Sequence, residues 1–186
     1  MGVAGRVTVV NVRRAPTAEL TEREKVELRD LLNRAFLPDD FDDDDWEHGL
    51  GGMHFLLEAD GRIVAHASVV ERELHAGGLP LRTGYVEAVA TEPAVQGRGL
   101  GTRVMEEAGA WIRERFELGA LGTGTFRFYE RLGWRRWNGP TFVRTAEGDV
   151  RTADEDGYVL VLTTPASPSL DLSAPLSCEW RPGDVW

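Results

Sequence analysis

The run Gln96-Gly97-Arg98-Gly99-Leu100-Gly101-Thr102 places three glycines within five positions, 97–101. Before it, residues 81–90 read as a strand. After it, Val104, Met105, Ala108, Trp111 and Ile112 recur at helical spacing and predict an amphipathic helix. Glycine lets a backbone curl tightly around a ligand, so that several N–H groups point one way. The helix N-terminus that follows adds positive potential. Together these features predict a pyrophosphate site, with Gln96, Gly97, Arg98, Gly99, Leu100 and Gly101 as the cofactor-binding residues. A nucleotide P-loop needs a Lys-Ser/Thr pair after its last glycine, and here Thr102-Arg103 stands there. A dinucleotide fingerprint starting at Gly97 needs glycine or alanine at position 102, and Thr102 breaks it.

Outward from the loop, the pattern mixes strands and helices. Residues 6–13 alternate as a strand. Thr21 and Glu24 have capping-box spacing, and Leu28, Leu31, Leu32, Ala35 and Phe36 follow at helical intervals, so 21–36 is predicted helical and Pro38 ends it. Residues 53–59 and 62–74, joined by Asp60-Gly61, predict a β-hairpin. A short strand is expected over 118–121, a short helix over 126–132 stopped by Gly133, and strands near 134–137, 141–144 and 158–162. Residues 165–175 are rich in proline and serine and read as an extended connector; residues 178–186 form an aromatic tail with Trp180 and Trp186.

The chain has 186 residues, 42% of them hydrophobic and 28% charged, which is the size and composition of one globular domain. A net charge of −10 repels phosphate backbones and argues against nucleic-acid binding. No apolar run approaches the ~20 residues that cross a bilayer, and Arg6, Arg13 and Arg14 interrupt any signal-peptide layout, so a soluble cytoplasmic protein without membrane partners is expected. Cys178 is the sole cysteine, and the four histidines lack ligand-like spacing, so no metal is expected.

The loop fits the pattern Gln/Arg-x-x-Gly-x-Gly/Ala and resembles the acyl-CoA pyrophosphate loop of the GNAT superfamily of N-acetyltransferases. Phe128-Tyr129-Glu130-Arg131-Leu132-Gly133-Trp134 resembles that superfamily's second signature, a tyrosine-bearing short helix running into a strand. The resemblance implies a mixed α+β fold: a central, mostly antiparallel mixed sheet flanked by helices, in a single domain over 1–186. A tail from about 165 to 186 would fold back on the substrate site.

A closer resemblance lies outside the loop. Asp45-Trp46-Glu47-His48, Leu50-Gly51-Gly52-Met53-His54, Gly84-Tyr85-Val86-Glu87 and the ending Trp180-Arg181-Pro182-Gly183-Asp184-Val185-Trp186 are similar to the aminoglycoside 2′-N-acetyltransferases. That resemblance implies acetyl-CoA as co-substrate, a cationic aminoglycoside as acceptor, and a homodimer. It implies Glu87 as general base and Tyr129 as general acid toward the departing thiolate. Backbone contacts to the acetyl-pantetheine arm fall on Val89, Ala90 and Thr91, with the Val89 N–H as oxyanion donor. Substrate contacts fall on Asp40, Asp45, Glu87, Ala88, Gly122, Glu155, Asp184 and Trp186.

The residues carry part of this themselves. Positions 39–47 hold seven carboxylates in nine residues, together with Phe41 and Trp46. Such a run serves as a solvated acidic loop, or it steers a polycation and offers aromatic faces to a sugar. Glu87 lies among Val86, Ala88 and Val89; it faces solvent, or it is a buried carboxylate with a task. Three departures bear on drug preference: Ala88 where the family has glycine, Gly122 where it has serine, and a 121–126 segment two residues shorter. An acetyltransferase for another cationic amine, such as a polyamine or cell-wall amino sugar, stays open at this level, as does a non-catalytic acyl-CoA or antibiotic-binding module.

Overall fold

The computed structural model describes residues 11–39 and 41–186. Strand β1 (Arg13–Pro16) leads into helix α1 (Glu22–Ala35). The Thr21–Glu24 capping box is formed in both directions: Thr21 Oγ1 accepts from the Glu24 N–H, and the Glu24 carboxylate accepts from the Thr21 N–H. Leu28, Leu31 and Leu32 form the buried face of α1, as their spacing predicts. The expected strand over 6–13 lies largely outside the described residues.

The acidic stretch is not a loop throughout. Asp43–His48 forms a short helix, α2, whose cap Asp42 exchanges hydrogen bonds with Asp45. Aspartate is a poor helix former, but three of them in a first turn meet the positive end of the helix dipole. Arg29 of α1 holds this helix from outside, donating to the Asp42 carbonyl and the Asp43 carboxylate with its guanidinium over the rings of Phe41 and Trp46. Both aromatics are therefore engaged by the protein itself.

Strands β2 (Met53–Ala59), β3 (Arg62–Ala76) and β4 (Leu79–Thr91) form an antiparallel meander. Helix α3 (Leu100–Arg115), β5 (Leu118–Gly122), helix α4 (Phe126–Glu130), β6 (Arg135–Arg136), β7 (Thr141–Thr145), β8 (Gly148–Arg151) and β9 (Val159–Thr163) follow. The hairpin partner β8 was not expected, because its residues are all exposed and carry no alternation. The last strand, β10 (Leu176–Glu179), comes from the tail. It is inserted between β3 and β7, antiparallel to the first and parallel to the second.

The strands form one mixed sheet in the order β6-β9-β5-β4-β3-β10-β7-β8, with β1 and β2 branching from β3. All pairings are antiparallel except β4 with β5 and β7 with β10. Helix α3 packs Val104, Met105, Ala108 and Ile112 against Phe55, Val86 and Leu162 on one face. Helix α1 covers Leu56, Ile63 and Ala90.

Two irregularities of β4 position the site. Its pairing with β5 ends at Tyr85 opposite Ala120, although β4 runs on to Thr91 and β5 to Gly122, so the two strands part beyond that point. In the same stretch β4 bulges: Ser68 opposes Glu87 and His66 opposes Ala90, which gives β4 one residue more than β3. Ala88 in the bulge has φ of +51°, a left-handed conformation that disfavours any residue with a Cβ.

Candidate active site

The gap between the parted ends of β4 and β5 opens on two sides. On one side is a cavity of about 620 Å³ lined by Val89, Thr91, Gln96, Gly97, Gly99, Leu100 and Gly101, with Thr102, Phe128 and Arg131. On the other is a cavity of about 530 Å³ lined by Glu87, Ala88, Gly122, Asp39, Asp45, His48, Arg181, Asp184 and Trp186. Val89, Thr125 and Tyr129 line both, so the cavities meet at the end of β4.

The first cavity is built from main chain. Gly97 and Gly99 sit at φ of +75° and +78°, where a side chain is strained, and the space beside each is open. Gly99 caps α3 without a side-chain hydrogen bond, and the early N–H groups of a helix have no intrahelical partner. Those donors, the helix dipole and nearby Arg131 suit a diphosphate. The donor set and the room at Gly97 and Gly99 thus fit a CoA-type diphosphate. Gln96 lines this cavity, and its side-chain amide donates to the Thr91 carbonyl at 3.2 Å and holds the loop to the strand. Two expected cofactor residues do not face the cavity. The Ala90 side chain is buried in the cluster under α1, because the bulge turns it to that face; the contact expected of this residue is through its backbone. Arg98, between two left-handed glycines, is exposed and does not line the cavity.

The second cavity is built from side chains of distant segments. Glu87 is largely buried, and Arg181 Nη1 donates to its Oε1 at 2.6 Å. Burial raises the Glu87 carboxyl above the usual carboxylate range, and Asp184 adds to the rise; the guanidinia of Arg181 and Arg72 pull it back down. Arg181 also donates through Nε to the Asp184 carbonyl, and its guanidinium lies 5.6 Å from the Tyr85 ring. His48 Nε2 donates to the Pro182 carbonyl at 2.8 Å and ties α2 to the tail; burial and Arg181 both lower its pKa, the desolvation being the larger effect, with that bond opposing them.

Trp186 is buried. Its indole N–H donates to Thr152 Oγ1 at 3.0 Å and its backbone N–H to the Asp184 carboxylate. Its terminal carbon stands 3.3 Å from where a Cβ on Gly122 would be, so the chain end closes against β5. Trp180, by contrast, is 60% exposed and lies outside this cavity, just past the end of β10 beside Arg144 and Glu147. Asp45 lines the cavity while its carboxylate caps α2. Glu155 does not line it, but burial and the fields of Asp184 and Asp154 raise its pKa. Asp40 lies outside the described residues.

Tyr129 is buried where the cavities join, and burial pushes its phenol up to about 12. Cys178 is buried too, its thiol pushed up to about 11, so it is a packed side chain and no nucleophile. Sequence reasoning missed Arg181, Asp39 and His48 as cavity residues. The first was visible only as part of the tail motif, and its pairing with Glu87 spans 94 positions.

The acetyltransferase (GNAT) domain model matches residues 17–137. Together with the parted strands and the glycine loop, this defines the class: the chain belongs to the GNAT acetyltransferases. It is 42% identical over 174 residues to the aminoglycoside 2′-N-acetyltransferase of Mycolicibacterium fortuitum, covering 91% of this chain and 89% of that one, and belongs to the same family. Among solved structures, the Escherichia coli GNAT family N-acetyltransferase YhbS in complex with CoA superposes with a TM-score of 0.65 at 14% identity, over 96% of this chain and 93% of that one. A GNAT family acetyltransferase from Brucella melitensis in complex with acetyl-CoA gives 0.58 at 18%, over 87% and 94%. At such identities the likeness is one of fold. No helix among the described residues is long and apolar enough to cross a membrane.

Proposed function

We propose that this protein transfers the acetyl group of acetyl-CoA to the 2′-amine of an aminoglycoside, directly, in a ternary complex. One observation carries this reading: a main-chain cavity suited to a diphosphate and a carboxylate-rich cavity suited to a polycation meet at Val89 and Tyr129, with Glu87 beside the junction. The 42% identity to the Mycolicibacterium fortuitum enzyme supports the choice of acceptor.

In this mechanism the loop 96–101 and the N-terminus of α3 hold the diphosphate, and Val89, Thr91 and Thr125 line the path of the pantetheine arm. Asp39, Asp45 and Asp184 attract the ammonium groups of the acceptor, and Trp186 lines the same cavity. Glu155 extends this negative field at its edge. Glu87 accepts a proton from the acceptor ammonium, directly or through one water. The freed amine then attacks the thioester carbonyl. As the N–C bond forms, the Val89 N–H donates to the developing oxyanion. The C–S bond breaks, and Tyr129, still protonated at neutral pH, gives its proton to the thiolate; the second proton of the attacking nitrogen passes through water to the Tyr129 phenolate, leaving a neutral amide, and Glu87 returns its proton to solvent. Arg181 pairs with Glu87 and favours its ionised form, and an incoming ammonium replaces it as the partner of the carboxylate.

The test mixes the pure protein with acetyl-CoA and gentamicin or tobramycin and follows thiol release, with mass spectrometry and NMR of the product. Acetylation at the 2′-nitrogen is expected, with no turnover of an aminoglycoside lacking that amine. Absence of thiol release across a drug panel would remove the reading. The chain acts as a cytoplasmic homodimer in this proposal, and light scattering at working concentration should give twice the chain mass.

A further inference from the structure

Four groups behind the bulge form a buried hydrogen-bonded row that the reaction does not use. His66 Nδ1 lies 2.7 Å from the Ala88 carbonyl. His66 Nε2 lies 2.9 Å from His54 Nδ1, and His54 Nε2 lies 2.8 Å from Thr17 Oγ1. Thr17 Oγ1 in turn accepts the Gly51 N–H at 2.8 Å. Both histidines are 1% exposed. Burial lowers their pKa values, to about 4 for His54 and about 3 for His66, so both are neutral at working pH.

Neutrality fixes the direction of every bond. A carbonyl only accepts, so His66 carries its proton on Nδ1. Its Nε2 then has only a lone pair and must accept from His54 Nδ1–H. His54 Nε2 is left as an acceptor, and the Thr17 hydroxyl donates to it. The row runs one way, from a surface turn to the carbonyl of the bulged residue. It ends on a carbonyl, which takes no proton from a substrate, so it is not a proton path.

The Ala88 carbonyl matters because of where it is. A bulge turns one peptide out of the ladder, and here the turned residue also holds a left-handed φ of +51°, which is unfavourable for a residue with a Cβ. Glu87 and Val89 flank it, and both line the acceptor cavity. We propose that His66, backed by His54 and Thr17, is a positioning residue: its Nδ1–H pins the Ala88 carbonyl and so fixes the bulge that aims the Glu87 carboxylate and the Val89 N–H into one cleft.

The row can be tested without turnover. Long-range ¹H–¹⁵N NMR of the whole protein at pH 7 should show His54 and His66 as neutral Nδ1–H tautomers, the form that free histidine disfavours. An Nε2–H tautomer at either, or titration near 6.5, would overturn the row. The positioning role rests on the function proposed above and needs a second measurement. Asn at position 66 keeps a donor close to where Nδ1 sits, whereas Leu is of similar size and has none. His66→Leu should lower kcat roughly tenfold to a hundredfold, the scale of a small misplacement at a reacting centre, with KM for acetyl-CoA within about threefold; His66→Asn should recover most of kcat. Equal loss in both variants, or an unimpaired His66→Leu, would refute the role. Should His66→Leu fail to fold, the tautomers still decide the row, and unchanged kcat in His54→Gln and Thr17→Val together would refute the support it gives. A wild-type protein that acetylates no aminoglycoside would instead remove the function reading, while the tautomer result stands on its own.

Discussion

The two halves of the cleft are built in opposite ways. The diphosphate end of the donor half is one continuous piece of main chain, residues 96–102, whose donors are backbone N–H groups aligned by two left-handed glycines and a helix start. The acceptor half is assembled from α2, the end of β4, the end of β5 and the last six residues, and almost every group it offers is a side chain. A backbone site is insensitive to most substitutions but vulnerable to conformation. A side-chain site can be retuned residue by residue, yet it depends on elements far apart in the chain. The cofactor half can therefore stay constant while the acceptor half sets specificity.

The sharpest way to break this comparison is at the junction. Glu87→Gln should lower kcat by about 10²- to 10⁴-fold, the usual scale for loss of a general base, with acetyl-CoA affinity within about twofold by calorimetry. Equal loss of both would mean that the halves are not separable. Next comes the chain end. Removing Val185 and Trp186 should raise KM for the aminoglycoside at least about tenfold, since each 1.4 kcal/mol of lost contact is a factor of ten. It should also lower Tm, because Trp186 is buried in the second core cluster.

On the donor side the converse holds. Gly99→Ala forces a Cβ into φ of +78° and should weaken acetyl-CoA binding roughly tenfold, given about 1–2 kcal/mol of strain, without changing the acceptor dependence of kcat. Acidity sharpens the contrast further. Glu87 must be ionised to act, so kcat/KM should fall as pH drops through its raised pKa, above the ordinary carboxylate range. Arg181→Met removes the first of the groups that hold that value down, so the acid limb should move to higher pH; a limb that stays in place would mean another group governs it. The smallest effect is at the bulge. Ala88→Gly relieves a left-handed alanine and should stabilise the fold by up to about 1 kcal/mol in urea unfolding, with the NMR tautomers of His54 and His66 unchanged.

The histidines also give the fold a pH dependence. Their folded-state pKa values lie below the unfolded value of about 6.5, so the unfolded chain binds protons that the folded chain does not. The stability they contribute is complete above about pH 6.5 and declines as pH falls toward the folded values.

How much of this could be read beforehand divides along the same line. Helix α1 was legible because its capping box and apolar repeat lie within one segment, and the β2–β3 hairpin because Asp60-Gly61 stands between two strand patterns. Helix α2 was hidden: a run of aspartates looks like a solvated loop until Asp42 and Asp45 are seen to cap each other and Arg29 to clamp them. Strand β10 was hidden because only four residues pair, and their partners, in β3 and β7, lie far back in the chain.

By itself the sequence determined what depends on neighbours along the chain: the glycine loop, the helix it opens, the tyrosine-bearing turn, and a carboxylate at position 87 in a strand. Only the tertiary structure decided that Arg181 closes on Glu87 and that two buried histidines stand behind Ala88. The reason is physical. Backbone conformation and helix starts are set by local sterics and hydrogen bonds, whereas an ion pair or a hydrogen-bonded row exists only once packing has brought distant groups within reach and removed the water between them.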